Sequence, residues 1–318
     1  MTWSADAPAN IALIKYMGKS ADNIPLNVSL SFTLDKFKSR VELDLLEKYD
    51  GHYGGQHPDE WDPSQEINDS DRDRFLKHLS FLKERFRLRA GFRVRSSNDF
   101  PSHCGLASSA SSFAALTKAA AVAASKIQGQ DFTGPELISQ LSRRGSGSSC
   151  RSLFSPFAVW DDEGTRPIDV GHQTFLHQVV VVDSSRKDVS SSEAHQRVLS
   201  STNWRGRVAR AEERFENLVE SLKHNRWRVS FEIVWAEFWD MHALFETSQP
   251  PFGYMKPGSL EVLNQVRALW NKEGDGPLAT MDAGPNVHLL YRADQRRHCE
   301  RFRKESLAKF EVLGEGER

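Results

Sequence analysis

Polar and apolar residues alternate over Ser29–Leu34 (SLSFTL), and Val41, Leu43 and Leu45 repeat the two-residue period, so both stretches predict half-buried β-strand. Phe75, Leu79, Leu82 and Phe86 step by three and four and predict one helix face. Between them, Tyr49–Asp73 is polar and rich in Gly, Asp and Pro, which reads as a long surface connection. Phe92 and Val94 restore the strand period. Pro101–Leu116 (PSHCGLASSASSFAAL) then reads as a glycine turn feeding an alanine-rich helix. A helical pattern over Pro135–Arg143 and a short strand at Phe157–Trp160 follow.

The second half opens on a β-branched run, His177–Asp183 (HQVVVVD), which predicts a buried strand and a change of domain near it. Val208, Ala211, Phe215, Leu218 and Leu222 mark one helix. Trp227, Phe231, Val234, Phe238, Met241 and Phe245 mark a second, antiparallel across the His224-Asn225 junction. Leu260, Leu263, Val266 and Leu269, with Trp270, give a third. The tail reads strand (Pro277–Met281), turn (Asp282–Asn286), strand (Val287–Arg292), helix (Asp294–Leu307) and strand (Phe310–Leu313). The order β, helices, β, β, α, β fits a ferredoxin-like split βαβ with extra helices in its first crossover. The class is α+β in two layered halves.

Composition narrows the function classes. The 318 residues suffice for two domains or one large one, and 39% are hydrophobic. The 42 Lys and Arg nearly balance 43 Asp and Glu, and no long basic run appears, which argues against nucleic-acid binding. Three cysteines (Cys104, Cys150 and Cys299) without a CxxC fit a reducing cytoplasm and read as small buried thiols. The N-terminal stretch has no apolar run for a signal peptide or membrane span, and Asp6 and Pro8 argue against targeting. No metal-ligand spacing and no hydrolase elbow is present, and His288 reads as packing.

Four segments carry candidate chemistry. In Ala7–Lys19 (APANIALIKYMGK), Lys15 and Lys19 are either snorkelling strand residues or cations that neutralise phosphate. The Pro101–Ser112 loop lacks the Lys-Ser/Thr ending of a Walker A motif, so any phosphate grip must use backbone N–H groups and hydroxyls. Ser108 and Ser109 are the nearest, and a serine at a helix start is more often a cap. Arg143–Ser152 (RRGSGSSCRS) is either a flexible polar loop with a surface arginine or a site where Ser146, Ser148 and Arg151 converge on an anion, its backbone freed by Gly145 and Gly147. In Met281–Asn286 (MDAGPN), Asp282 is either a turn former or a carboxylate projecting from a strand end.

Together these segments resemble the mevalonate diphosphate decarboxylase branch of the galactokinase–homoserine kinase–mevalonate kinase superfamily. NIALIKYMGK, SLSFTL, NDFPSHCGLASSASSFAAL, RRGSGSSCRSL, RKDVSSSEAH and MDAGPN follow the family's order over nearly the whole chain. The resemblance implies an N-terminal ATP-binding half (1–176) like ribosomal protein S5 domain 2. It also implies a ferredoxin-like C-terminal half (177–318) and a site in the cleft between them. It implies ATP-dependent decarboxylation of mevalonate 5-diphosphate to isopentenyl diphosphate, with ADP, phosphate and CO2, on the route to isoprenoids and sterols. ATP and Mg2+ are then the cofactors, with the metal ligands unspecified. The resemblance also implies a homodimer, and with the composition it implies a cytoplasmic protein with no nucleic-acid or membrane partner.

Carried over by motif, Asp282 meets the substrate's 3-hydroxyl, with Lys15 beside the reacting groups. Arg151 grips the carboxylate or diphosphate. Asn10, Tyr16, Lys19, Ser148 and Ser191 hold substrate. Gly105, Ala107, Ser108, Ser109 and Ser146 hold the ATP phosphates. Two departures stand out: Met17 where the family commonly has Trp, and Ser102-His103-Cys104 in place of small apolar residues. A monophosphate-using relative, a 3-kinase of the superfamily and a non-catalytic sensor of phosphorylated metabolites are the competing readings.

Overall fold

The computed structural model describes residues 1–46, 59–101, 108–171, 174–185 and 187–315. The chain forms two compact units. The first is built on Met1–Asn10, Asp35–Phe100 and the chain up to Phe154; the second on Ile11–Leu34 and everything from Ser155 onward. Two long strands, β1 (Thr2–Ile14) and β2 (Ser29–Leu45), each contribute to both units.

In the first unit, Ser39–Leu45 of β2 pairs antiparallel with β4 (Phe92–Asn98), and β3 (Glu60–Trp61) adds to β4 in parallel. The sheet's apolar face supplies Val41, Leu43, Phe92 and Val94. Helix α1 (Asp69–Phe86) covers it with Phe75, Leu79, Leu82 and Phe86, the face its spacing predicts. The Asn68 side chain caps α1 by accepting from Asp71 N at 3.0 Å, and Arg87 ends it in the left-handed region at φ +53°. Helix α2 (Ser108–Gln128) is buried on nearly every side, which its run of alanines permits because small side chains let neighbours approach closely. Helix α3 (Pro135–Gly145) leads into a 3-10 turn at Gly147–Leu153 that packs against α2 and α3.

In the second unit, Ser29–Phe32 of β2 pairs with β5 (Phe157–Asp161), which turns back into β6 (Gly164–Pro167). A separate antiparallel sheet runs β10-β7-β9-β8, from β7 (Leu176–Val181), β8 (Leu278–Thr280), β9 (Val287–Tyr291) and β10 (Glu311–Gly314). Numbered within this half, the strand order is 4-1-3-2, as a ferredoxin-like split βαβ requires. Between β7 and β8 come α4 (Ser191–Arg197), α5 (Arg207–Lys223), α6 (Trp227–Glu246) and α7 (Pro257–Glu273). Helix α8 (Arg296–Ser306) joins β9 to β10. The α5–α6 link is three residues long, with Asn225 left-handed at φ +53°, and the two helices pack as a hairpin.

Several expectations need correction. SLSFTL and the Val41–Leu45 run form one continuous strand of 17 residues. Ser29–Leu34 is buried on both faces, because Ser and Thr are small enough to pack inside; Ser29 Oγ donates to Trp160 O at 3.5 Å. The expected Tyr49–Asp73 connection lies outside the described residues up to position 58, and its far end already belongs to β3 and α1. β1, β3, β6 and α4 were not predicted. Among the described residues no helix is long and apolar enough to cross a membrane.

Candidate active site

In the second unit the polar centre is built where two strands end. Lys15 follows the last residue of β1, and Asp282 lies two residues past β8. Thr280 Oγ1 donates to Ala12 O at 3.3 Å and ties the two segments together. Lys15 Nζ then meets Asp282 Oδ1 at 2.7 Å. The lysine side chain is only 2% exposed, whereas the aspartate is 33% exposed. The result is a buried ammonium fixed against a partly exposed carboxylate. Within the MDAGPN turn, Gly284 N donates to Asp282 O at 2.8 Å, so Asp282 shapes the turn with its backbone and meets Lys15 with its side chain.

Around this pair the second unit gathers further groups. Tyr16 packs its ring against Trp160 at 4.5 Å and against His195 of α4 at 4.2 Å. Gly18 N donates to His195 Nδ1 at 3.1 Å, and Lys19 Nζ to Asn23 Oδ1 at 2.7 Å. Ser191 opens α4 and is exposed. Met17 sits in a small apolar cluster with Ala194, Val198, Met241 and Phe245, and Trp204 packs against that cluster, so a thioether suits the space. Lys187 Nζ stands 5.7 Å over the Tyr254 ring.

His242, on α6, is buried against the pair. Burial and then the Lys15 charge push its pKa down to about 3, while the Asp282 backbone and carboxylate pull the other way. It is therefore a neutral imidazole at ordinary pH.

In the first unit the polar centre brings together an amide, serines and a buried arginine. Asn10, 2% exposed, donates to Ser152 Oγ at 2.8 Å and to Ser148 O at 3.3 Å. Arg151, 4% exposed, donates its Nε to Asn10 Oδ1 at 3.3 Å. Ser146 O accepts from Ser149 N and Oγ, which closes the 3-10 turn. At the start of α2, Ser108 is half-buried and Ser109 exposed, above linked hydroxyls in which Ser111 meets Ser39 at 2.6 Å. Gly145 lies under the Phe113 ring: a Cβ there would stand 2.2 Å from Phe113 Cδ1. Its role is close approach and not backbone freedom.

Comparison with known proteins decides the family. The diphosphomevalonate decarboxylase-like N-terminal domain matches residues 7–171, and the mevalonate 5-diphosphate decarboxylase C-terminal domain matches 178–310. The chain belongs to the mevalonate diphosphate decarboxylase family. It is similar to the crystal structure of a mevalonate diphosphate decarboxylase from Legionella pneumophila, at 41% identity and TM-score 0.90, over 98% of this chain and 100% of that one. It is similar to MDDEF in complex with MVAPP, AMPPCP and magnesium, at 30% identity and TM-score 0.83, over 99% and 96% of the two chains. The diphosphomevalonate decarboxylase of Debaryomyces hansenii is 29% identical over 317 residues, covering 91% of this chain and 79% of its own.

Within this decarboxylase-family chain, the predicted residues fall into two groups. Lys15, Tyr16, Lys19, Ser191 and Asp282 belong to the second unit, and Lys15 and Asp282 touch. Asn10, Ser146, Ser148, Arg151, Ser108 and Ser109 belong to the first, and Asn10 touches Arg151 and the Ser148 backbone. Gly105, Ala107 and the Ser102-His103-Cys104 departure lie outside the described residues. Lys15 does not snorkel and Arg151 is not a surface residue. His288 pairs with His177 at 3.0 Å inside the sheet, as a packing residue. Cys150 and Cys299 are both buried, and burial pushes the Cys299 thiol up to about 12.

Sequence reasoning missed three buried residues, Arg207, Glu237 and His242. The signal was present in their spacing. Glu237 sits three residues after Val234 and four before Met241, on the apolar face of α6, and His242 follows four after Phe238. Arg207 precedes Ala211 by four on the buried face of α5.

Proposed function

We propose that this protein converts mevalonate 5-diphosphate and ATP to isopentenyl diphosphate, ADP, phosphate and CO2. The observation that carries the proposal is the 2.7 Å contact between a buried Lys15 ammonium and a partly open Asp282 carboxylate. In this reading Asp282 accepts a hydrogen bond from the substrate's tertiary 3-hydroxyl and orients it toward the γ-phosphate of ATP. A tertiary alcohol is too weak an acid for a carboxylate to ionise beforehand, so the proton shifts as the new O–P bond forms. Lys15 holds the carboxylate in place and offsets negative charge at the reacting oxygens.

The phosphorylated 3-oxygen then departs as phosphate. The C1–C2 bonding electrons move to form the C2–C3 double bond, and C1 leaves as CO2. Asp282 stabilises the positive character that develops at C3. Arg151, whose guanidinium is a planar fork, grips the substrate carboxylate or diphosphate. Asn10 holds Arg151 in place, and Tyr16, Lys19, Ser148 and Ser191 complete the substrate contacts. Ser108, Ser109 and Ser146, with Gly105 and Ala107, take the ATP phosphates.

Magnesium neutralises charge on the transferred phosphoryl group. No group of three or more His, Cys, Asp or Glu suited to a metal occurs among the described residues. That fits an ion held mainly by nucleotide phosphates and water, as magnesium prefers. The similar structure that contains MVAPP, AMPPCP and magnesium supports this cofactor set. The same proposal carries an ATP-binding half at 1–176 and a ferredoxin-like half at 177–318, supported by family matches at 7–171 and 178–310. It also carries a cytoplasmic location, supported by the sparse cysteines, and a homodimeric assembly, as the family resemblance implies.

The test is a product assay. Purified protein is incubated with ATP, Mg2+ and, separately, mevalonate, its 5-phosphate and its 5-diphosphate, while ADP and CO2 are followed. Equal ADP and CO2 with the diphosphate is the expected result. ADP without CO2 identifies a kinase, CO2 mainly from the monophosphate identifies the other decarboxylase, and binding without ADP identifies a sensor. Asp282→Asn is expected to retain AMPPCP binding and lose about 10²–10⁴ in turnover. Near-normal turnover overturns the role assigned to Asp282.

A further inference from the structure

Lys15 lies just beyond β1, and side chains take both of its backbone groups. Its N–H donates to Glu237 Oε1 at 2.9 Å. Its C=O accepts from Asn27 Nδ2 at 2.9 Å and from Arg207 Nη2 at 3.1 Å. Arg207 and Glu237 are themselves fully buried and bonded to one another at 2.5 and 3.0 Å. Arg214 reaches the second Glu237 oxygen at 2.9 Å, and Asp240 joins Arg207, Arg210 and Arg214 behind the pair.

We propose that the buried Arg207–Glu237 pair is a positioning device that fixes the backbone of Lys15, and with it the approach of the Lys15 ammonium to Asp282. The proposal rests on the reading of Lys15 and Asp282 as the reacting pair. Stability is a poor explanation of the cluster. Apolar residues of similar volume commonly serve a core as well as a buried ion pair does. Glu237 occupies the apolar face of α6, where packing alone calls for a residue such as Leu. Arg207 Nε is buried without a hydrogen-bond partner, a cost that packing does not require. What the pair does provide is directional. One carboxylate and one guanidinium, already locked together, grasp the N–H and the C=O of a single residue. Charge-assisted hydrogen bonds are short and oriented, so they fix the peptide planes on both sides of that residue. With both planes fixed, Lys15 Cβ has one direction, and Nζ reaches Asp282 without a search.

Two variants test this beside two controls. Arg207→Met/Glu237→Leu fills the space with apolar groups, removes both contacts to the Lys15 backbone and leaves Asp240 paired with Arg210 and Arg214. Asn27→Ala removes one donor to Lys15 O without touching the ion pair. The controls are Lys15→Met and Asp282→Asn. For each, kcat, KM for ATP and for mevalonate 5-diphosphate, AMPPCP binding and Tm are measured.

The double variant is expected to lose about 10- to 100-fold in kcat, because small misplacements of a reacting group are costly, while AMPPCP binding stays near wild type and Tm does not track the loss. Asn27→Ala is expected to lose about 3- to 10-fold in kcat with the same split. Wild-type kcat in Asn27→Ala, together with a double variant that is either unfolded or fully active, overturns the proposal. So does a loss of kcat that simply follows Tm and AMPPCP binding. Inactive Lys15→Met beside a fully active double variant sinks the brace alone. An active Lys15→Met removes the reading beneath it, and the brace falls with it.

Discussion

Lys15 and Arg151 are both buried cations, and the described contacts that place them differ. Lys15 is held by charge: its side chain meets Asp282, and its backbone meets Glu237 and Arg207. Arg151 donates to the Asn10 amide from inside a turn of serines and glycines packed against the alanine-rich α2. Among the described contacts, balanced charge marks the first arrangement and close fit the second. Substitutions that change charge should therefore act most strongly around Lys15. Substitutions that change shape should act most strongly around Arg151.

Arg151 itself is the first place to break the comparison. If it receives an anionic part of the substrate, Arg151→Ala removes a preorganised donor, worth about 2.7–4 kcal/mol, or about 10²–10³ in kcat/KM. Steady-state kinetics should show this loss with KM for ATP little changed. Arg151→Lys should rescue only part of it, because an ammonium lacks the planar fork. Activity within tenfold of wild type in Arg151→Ala would mean that the guanidinium only packs, and the contrast with Lys15 would lose its functional content.

The shape side of the contrast is tested at Gly145. An added Cβ would lie 2.2 Å from Phe113 Cδ1 and 2.9 Å from His78 Cγ, both within the packed core. Gly145→Ala is expected to destabilise by about 1–3 kcal/mol, the usual cost of overpacking. Phe113→Leu in the same chain should recover part of it. In the MDAGPN turn of the second unit, Gly284→Ala brings a Cβ to 3.3 Å from Lys187 Cε, the far end of a flexible side chain. Urea unfolding should therefore show a smaller loss there. Equal losses at the two glycines would break the distinction between a site held by fit and one held by charge.

The same distinction explains what the sequence discloses. Most strands and helices follow from period, and the ferredoxin-like order follows from their succession, because those signals are local. The Gly/Ser/Arg segment and MDAGPN stand out by composition, yet local reading leaves each with two meanings. Arg151 meets Asn10 from 141 positions away in sequence, and Lys15 meets Asp282 across 267. Glu237 and His242 are legible in principle, as polar residues at apolar helix positions. Without knowing what α6 packs against, such a residue reads as an imperfection in the pattern. β1 is faint in the sequence although Thr2–Ile11 alternates: three of its five apolar positions are alanines, Pro8 interrupts the run, and Ala9 to Ile14 is buried on both faces.

The smallest effect per step, and the most direct comparison of the two units, comes from one buried histidine in each. His78 of α1 bonds Thr117 Oγ1 at 3.0 Å, and burial pushes its pKa down to about 3. His242 of α6 is pushed down to about 3 by burial and by Lys15. A free histidine titrates near pH ~6.5, so over the interval between the two values the unfolded chain binds a proton that the folded chain refuses. Stability from these groups is therefore complete above that upper value and falls as pH falls toward the lower one, by about 1.4 kcal/mol per pH unit for each. Urea unfolding at a series of pH values should show the slope reduced by one proton in His78→Gln and in His242→Gln alike. Turnover at neutral pH should separate them. His78→Gln should leave kcat near wild type, because Thr117 retains a partner and no reacting group is near. His242→Gln should lower kcat, because the side chain lies against the Lys15–Asp282 pair. Equal kcat in the two variants would show that the pair is indifferent to its neutral neighbour, and that charge alone holds it.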